Sequence, residues 1–163
     1  MPFGNEICTV RVTGAQLLEA LEAACQSTPA ENGGFPHVAG ISFTVDTTVA
    51  YVPGEKYPDS EVFGPANPGS RVTISDVGGR GFALDAEYVI ATSTFIAEGG
   101  ECYYAFAEAA SSLVTVGYID YQALQFYLQN ECGGVVPDAY ANPWGQGRIV
   151  MLGRAAEEVR PAA

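Results

Sequence analysis

The chain has 163 residues, 48% of them hydrophobic, enough for one domain-sized core without covalent staples. Seven basic residues against nineteen acidic ones give a net charge of −12. Such a surface repels phosphate backbones and anionic lipid, so neither nucleic acid nor membrane is expected as a partner. No apolar run reaches the roughly 18 residues that span a bilayer, and no basic segment followed by an apolar one opens the chain as a leader would.

Residues 7–13, "ICTVRVT", alternate Cys8, Val10 and Val12 with Ile7, Thr9 and Arg11, which predicts a strand with one apolar face. Gly14 turns the chain into "AQLLEALEAACQS", a helix with Leu17, Leu21, Ala24 and Cys25 on its inner stripe. Leu18 and Ala20 broaden that stripe, and Glu19 and Glu22 fall on the predicted solvent side. The breaker cluster "TPAENGGFP" (28–36) ends the helix, and 38–46 predicts a second strand with Ile41, Phe43 and Val45 together. Residues 47–69, with four prolines, read as a long surface loop containing at most a short hairpin.

Strands are predicted over 70–77 and 88–93, with "GGRG" (78–81) as a turn. An Ala- and aromatic-rich helix follows over about 102–110. A last helix starts near 120, N-capped by Asp120, with Ala123, Leu124, Tyr127 and Leu128 inward. A Pro- and Gly-rich stretch (133–147) precedes a strand at 148–152. Residues 1–153 thus read as one domain and 154–163 as a flexible tail. Strands and helices mix without a βαβ repeat, so the class is α+β, a mixed sheet packed with helices.

The residues that could carry chemistry are few. No nucleophile elbow, two-histidine metal signature or paired-carboxylate spacing is present. The "GGRG" turn has no helix N-terminus behind it to receive a phosphate. His37, the single histidine, reads as structural, and Trp144 as a loop anchor. Cys8, Cys25, Cys102 and Cys132 contain no Cys-x-x-Cys; buried thiols and disulfides both remain open, the latter with three full pairings. Cys102 at a helix start is chemically conceivable as a nucleophile, but no partner base lies near it in sequence. One stretch stands out: "STFIAEGGECYYAF" sets Phe95 before a Gly-Gly turn and the carboxylate of Glu101. A carboxylate there is either a helix-dipole contact or an acceptor for a vicinal diol such as a ribose.

Three segments in order, "PFGNEICTVRVTGAQLLEALE", "ENGGFPHVAGISFTVD" and "GSRVTISDV…LDAEYVIATSTFIAEGGECY", resemble the C-terminal, substrate-binding domain of the 5′-nucleotidase / UDP-sugar hydrolase family, over roughly residues 2–130. The resemblance implies a nucleotide or nucleoside ligand whose base is stacked between Phe3 and Phe95. It implies that Asn5 contacts the base, that Gly33 approaches the ring, and that Glu101 holds the ribose hydroxyls. The family's usual residues at the last position are Asp and Gly, where this chain has Glu101 and Cys102.

The same resemblance places catalysis, and two divalent metals, in a separate N-terminal metallophosphoesterase domain, with the phosphate-side arginines upstream of the Pro-Phe-Gly-Asn motif. It implies an extracellular, periplasmic or cell-surface setting. By itself this chain is expected to bind weakly and not to hydrolyse phosphate esters; the alternative is a structural or interaction module that keeps the fold and has lost the ligand. Without the upstream part of such a domain, apolar surface or an open sheet edge would be left uncovered, which predicts self-association or segment exchange.

Overall fold

The structure, a computed structural model, describes residues 3–142 and 146–153. It is α+β, with two β-sheets and a short hairpin arranged around one central helix. Strand β1 (Glu6–Thr13) is the middle strand of the first sheet, antiparallel to β7 (Glu87–Ser93) on one side and to β8 (Val114–Ile119) on the other. The second sheet runs β6 (Arg80–Gly81), β5 (Val72–Val77), β2 (Ile41–Asp46), β9 (Ile149–Leu152), with β9 parallel to β2 and the other pairs antiparallel. The 47–69 loop carries a hairpin of β3 (Pro53–Lys56) and β4 (Phe63–Pro65).

Helix α1 (Gly14–Ala24) is the centre of the core. Thr13 caps it reciprocally with Gln16: the Gln16 N–H donates to Thr13 Oγ1 at 3.2 Å, and the Thr13 N–H to Gln16 Oε1 at 3.0 Å. Its first turn docks on the segment before β7, Gly14 N–H donating to the Ala86 carbonyl at 2.8 Å. A Cβ at Gly14 would run into the Ala83 carbonyl, so only glycine allows that approach. The predicted inner stripe is buried, together with Cys8, Val10 and Val12 of β1 and Ile41, Phe43 and Val45 of β2. Because sheets and hairpin surround the helix, burial extends beyond one stripe.

Glu22, predicted to face solvent, is therefore a correction: it is 1% exposed. Its carboxylate accepts from the backbone N–H groups of Gly69, Arg71 and Val72 and from the Ser70 hydroxyl, at 2.8–3.1 Å. Those donors belong to the bend before β5, which explains why that strand starts at Val72 and not at 70. Arg71, also buried, turns its guanidinium to the far end of α1, donating to the carbonyls of Cys25, Gln26 and Thr28. A cation on the last carbonyls of a helix satisfies acceptors that the helix itself leaves open.

Other boundaries also differ from the sequence expectation. Strand β2 starts at Ile41 because Gly40 turns at φ 72°. The helix expected over 102–110 is one turn, α3 (Tyr104–Ala107), followed by a 3₁₀ turn at 110–112; a second single turn, α2 (Thr94–Ala97), precedes it. Strand β8 was not expected, because Gly117 interrupts its alternation. Helix α4 (Asp120–Phe126) widens into a π turn over 127–131. Its cap is Ile119, whose N–H donates to the Gln122 side chain at 3.3 Å; Asp120 is the first helical residue and bonds the Tyr121 N–H. Leu124 and Tyr127, expected inward, are exposed, since no described element covers that face. Trp144 and the 154–163 tail lie outside the described residues.

Candidate functional site

A cleft of about 880 Å³ opens between the loop 33–41, strand β7 and the turn that carries Glu101. Its floor is apolar, made by Leu17 and Leu21 of α1 and Phe106 of α3; its walls include Phe35, Val38, Val89 and Ile96. Asn5, Gly33, Phe95 and Glu101 all line it, although Asn5 and Glu101 lie at opposite ends of the family-like segment. Among the described lining residues Glu101 is the single carboxylate, His37 the single imidazole, and no Lys or Arg is present. The arrangement suits an uncharged ring system with a hydroxyl-bearing appendage better than a phosphate.

Each candidate side chain is held differently. Phe95 is in the first turn after β7 and stays 46% exposed. A Cβ on Gly100 would come within 2.6 Å of both the Phe95 ring edge and its carbonyl oxygen, so the Gly-Gly turn fits closely against Phe95. The Gly100 N–H also donates to the Phe95 carbonyl at 2.8 Å. Glu101 follows with φ 56°, a left-handed backbone rarely taken by side-chain-bearing residues other than Asn and Asp. This is the physical consequence of glutamate at the position: the turn wants a glycine-like backbone and receives a carboxylate.

The two loops that bear Gly33 and Glu101 are tied together beneath the surface. Buried Tyr103 donates its hydroxyl to the Gly34 carbonyl at 2.9 Å. Asn32 accepts from the Gly34 N–H at 3.1 Å and donates to the Ala24 carbonyl at 3.0 Å. The Gln26 amide donates to Cys102 Sγ at 3.0 Å. This frame fixes the turn to the C-terminal end of α1. Sequence reasoning did not single out Tyr103, Asn32 or Gln26. Their only signal was proximity to the glycine turns.

Phe3 is placed differently from the other four. It does not line the cleft, and its ring is 83% exposed. Asn5 is better anchored: its carbonyl accepts from the Asp120 N–H at 2.9 Å, which ties the start of β1 to the start of α4. His37 is exposed and packs edge-on to Phe35, with ring centroids 5.6 Å apart.

All four cysteines are free. Burial raises the Cys102 thiol above its ordinary value, the direction opposite to that of an activated nucleophile. Among the described residues no three His, Cys, Asp or Glu side chains cluster as a metal site would require. No described helix is long and apolar enough to cross a membrane.

The family model described as "5'-nucleotidase, C-terminal domain" matches residues 1–108. The trifunctional nucleotide phosphoesterase protein YfkN of Bacillus subtilis is 34% identical over 137 residues, covering 84% of this chain and 8% of that protein. A 5′-nucleotidase of Vibrio cholerae is 30% identical over 128 residues, covering 78% of this chain and 19% of its own length. The chain therefore spans less than a fifth of either curated relative. The crystal structure of a 5′-nucleotidase precursor from Thermus thermophilus shares the fold, with a TM-score of 0.69 at 24% identity over 95% of this chain and 27% of that one. The chain belongs to the 5′-nucleotidase C-terminal domain family.

Proposed function

We propose that the cleft binds the nucleoside part of a nucleotide, and that the chain is a substrate-binding unit and not a catalytic one. Phe95 stacks on one face of the base, and Phe3 closes on the other when ligand is present. Asn5 and the backbone at Gly33 meet the base edge, and Glu101 accepts hydrogen bonds from the ribose diol. The single observation that supports this reading most is that Asn5, Gly33, Phe95 and Glu101 line one cleft. Stacking on an aromatic ring contributes about 1–3 kcal/mol per base and tolerates different bases. The absence of Lys and Arg from the described lining means that phosphate adds no affinity here.

Hydrolysis, with its two divalent metals, belongs in this proposal to a metallophosphoesterase domain of a larger protein, as the chain's small share of its relatives supports. An exported setting goes with that reading. In an NMR titration of this chain, adenosine is expected to bind with a Kd on the order of millimolar, and AMP no more tightly. Phe95→Ala should abolish the shifts; a variant that titrates like the parent refutes the assignment. Metal-dependent phosphate release from AMP by the pure chain, at enzyme-like rates, would overturn the non-catalytic half.

A second reading, a fold-retaining interaction module, is favoured by one specific observation: Phe3 stands 83% exposed and away from the cleft. Under it, adenosine would shift no resonance of the parent chain.

A further inference from the structure

From residue 107 to residue 153 no described residue is buried. Strand β8 is the outer strand of the first sheet, and 113–119 carries no charged residue; helix α4 follows directly. Val114, Val116, Tyr118, Tyr121, Leu124 and Phe126 are each 45–62% exposed. The Tyr118 and Phe126 rings pack on each other at 6.0 Å, so strand and helix contribute to a common apolar surface. Helix α4, seven residues long, is tied to β1 by the Asp120 N–H to Asn5 carbonyl bond and half-buries Ala123, while its large apolar side chains stay exposed. Rich in Tyr, Phe and Val and without a Lys or Arg between 113 and 142, the surface has the composition of an interface centre and not of a solvated face.

We infer that the β8–α4 face pairs with the same face of a second copy of this chain across a two-fold axis. Three observations select that occupant. The six side chains present on the order of 500 Å² of apolar surface, and Tyr127, Val135, Val136 and Tyr140 of the same segment bring it toward the roughly 800 Å² that each partner contributes to a standard interface. Tyr127 and Tyr140 are in hydroxyl contact, which joins the loop after α4 to that surface. The chain's charge of −12 opposes self-association elsewhere, whereas 113–119 is uncharged and the β8–α4 face carries a single carboxylate, Asp120 at the start of α4, with Glu131 and Asp138 beyond it.

The contact is face to face and does not continue the sheet from strand to strand. Gly117 at φ 76° and the register slip between Glu6 and Cys8 put a bulge in β8, which prevents regular edge pairing along its length.

Sedimentation of the 163-residue chain over a concentration series tests this. The parent is expected to sediment as a dimer at tens of micromolar. Tyr118→Asp and Leu124→Asp should each weaken the dimer by at least about tenfold, as truncating interface anchors does. Circular dichroism should stay that of the parent, since neither side chain is buried. Val49→Asp, exposed in the 47–69 loop, is the control and should leave the dimer unchanged. Amide exchange over 114–126 should slow with rising concentration. A parent that stays monomeric, or a dimer that survives both face variants, overturns the inference.

Discussion

Residues 6–106 and residues 107–153 both carry strands and a helix and differ in what those elements bury. The first stretch contains every buried side chain among the described residues, and the second contains none. Each carries one helix of two or more turns, α1 and α4, yet only α1 is surrounded by other elements. Periodicity states which face of an element could be covered; a covering element has to come from elsewhere. The family match ends at residue 108, almost where the buried core ends. The first stretch thus covers its own core, while the second pairs β8 and β9 with β1 and β2 and leaves its large side chains uncovered.

The sharpest way to break this contrast is at Glu22. Its carboxylate collects the backbone donors of the bend before β5, and no other described acceptor is in place for them. Glu22→Ala leaves the buried N–H groups of Arg71 and Val72 unpaired and should cost about 3–5 kcal/mol, read as a fall in the urea midpoint. Leu124→Asp, in the second stretch, should change the monomer's stability by less than about 0.5 kcal/mol. Equal losses for the two variants would show that the stretches do not differ as described.

The next effect concerns alkali. Burial raises the Cys25 thiol to about 12, with Arg71 pulling the other way, and also raises Cys8, Cys102 and the Tyr103 hydroxyl. All four groups sit in the first stretch. With folded values above unfolded ones, each contributes stability that is complete below the unfolded value and lost as pH rises toward the folded one. Above pH about 9 the unfolded chain releases protons that the folded chain keeps. Stability should then fall by about 1.4 kcal/mol per pH unit from Cys25 alone, up to pH about 12. Urea titrations at two alkaline pH values would measure the slope, and Cys25→Ala should reduce it.

Much of the first stretch was legible in the sequence. Period-two alternation located β1 and β2, and the 3.6-residue stripe located α1, because those signals record burial that really occurs. Glu22 was not legible: on a helical wheel it lies with Glu19, and its donors are 47 to 50 residues further along the chain. Strand β8 was hidden by Gly117, and the exposure of α4 could not be read because it depends on no other described element lying over it. The candidate site became visible through its family-like motifs and not through spacing, since Phe95 and Glu101 carry no chemical signature of their own. What the motifs could not convey is the buried Tyr103–Gly34 link that positions them.

The smallest effect separates the two readings of the cleft, and it lies at the seam between the stretches. Glu101 holds a left-handed backbone, which costs a residue with a side chain about 1–2 kcal/mol. Glycine there would relieve that strain and give back about 0.5–1 kcal/mol through the freer unfolded chain. Glu101→Gly should therefore stabilise the fold by about 0.5–1 kcal/mol in urea denaturation. If the carboxylate holds a ribose, the same variant should lose its response to adenosine while becoming more stable, as a residue retained for binding at the expense of stability does. If the cleft has no ligand, stability should rise and the parent should show no adenosine response to lose. A variant less stable than the parent would mean that Glu101 makes a contact with the fold that outweighs its backbone strain.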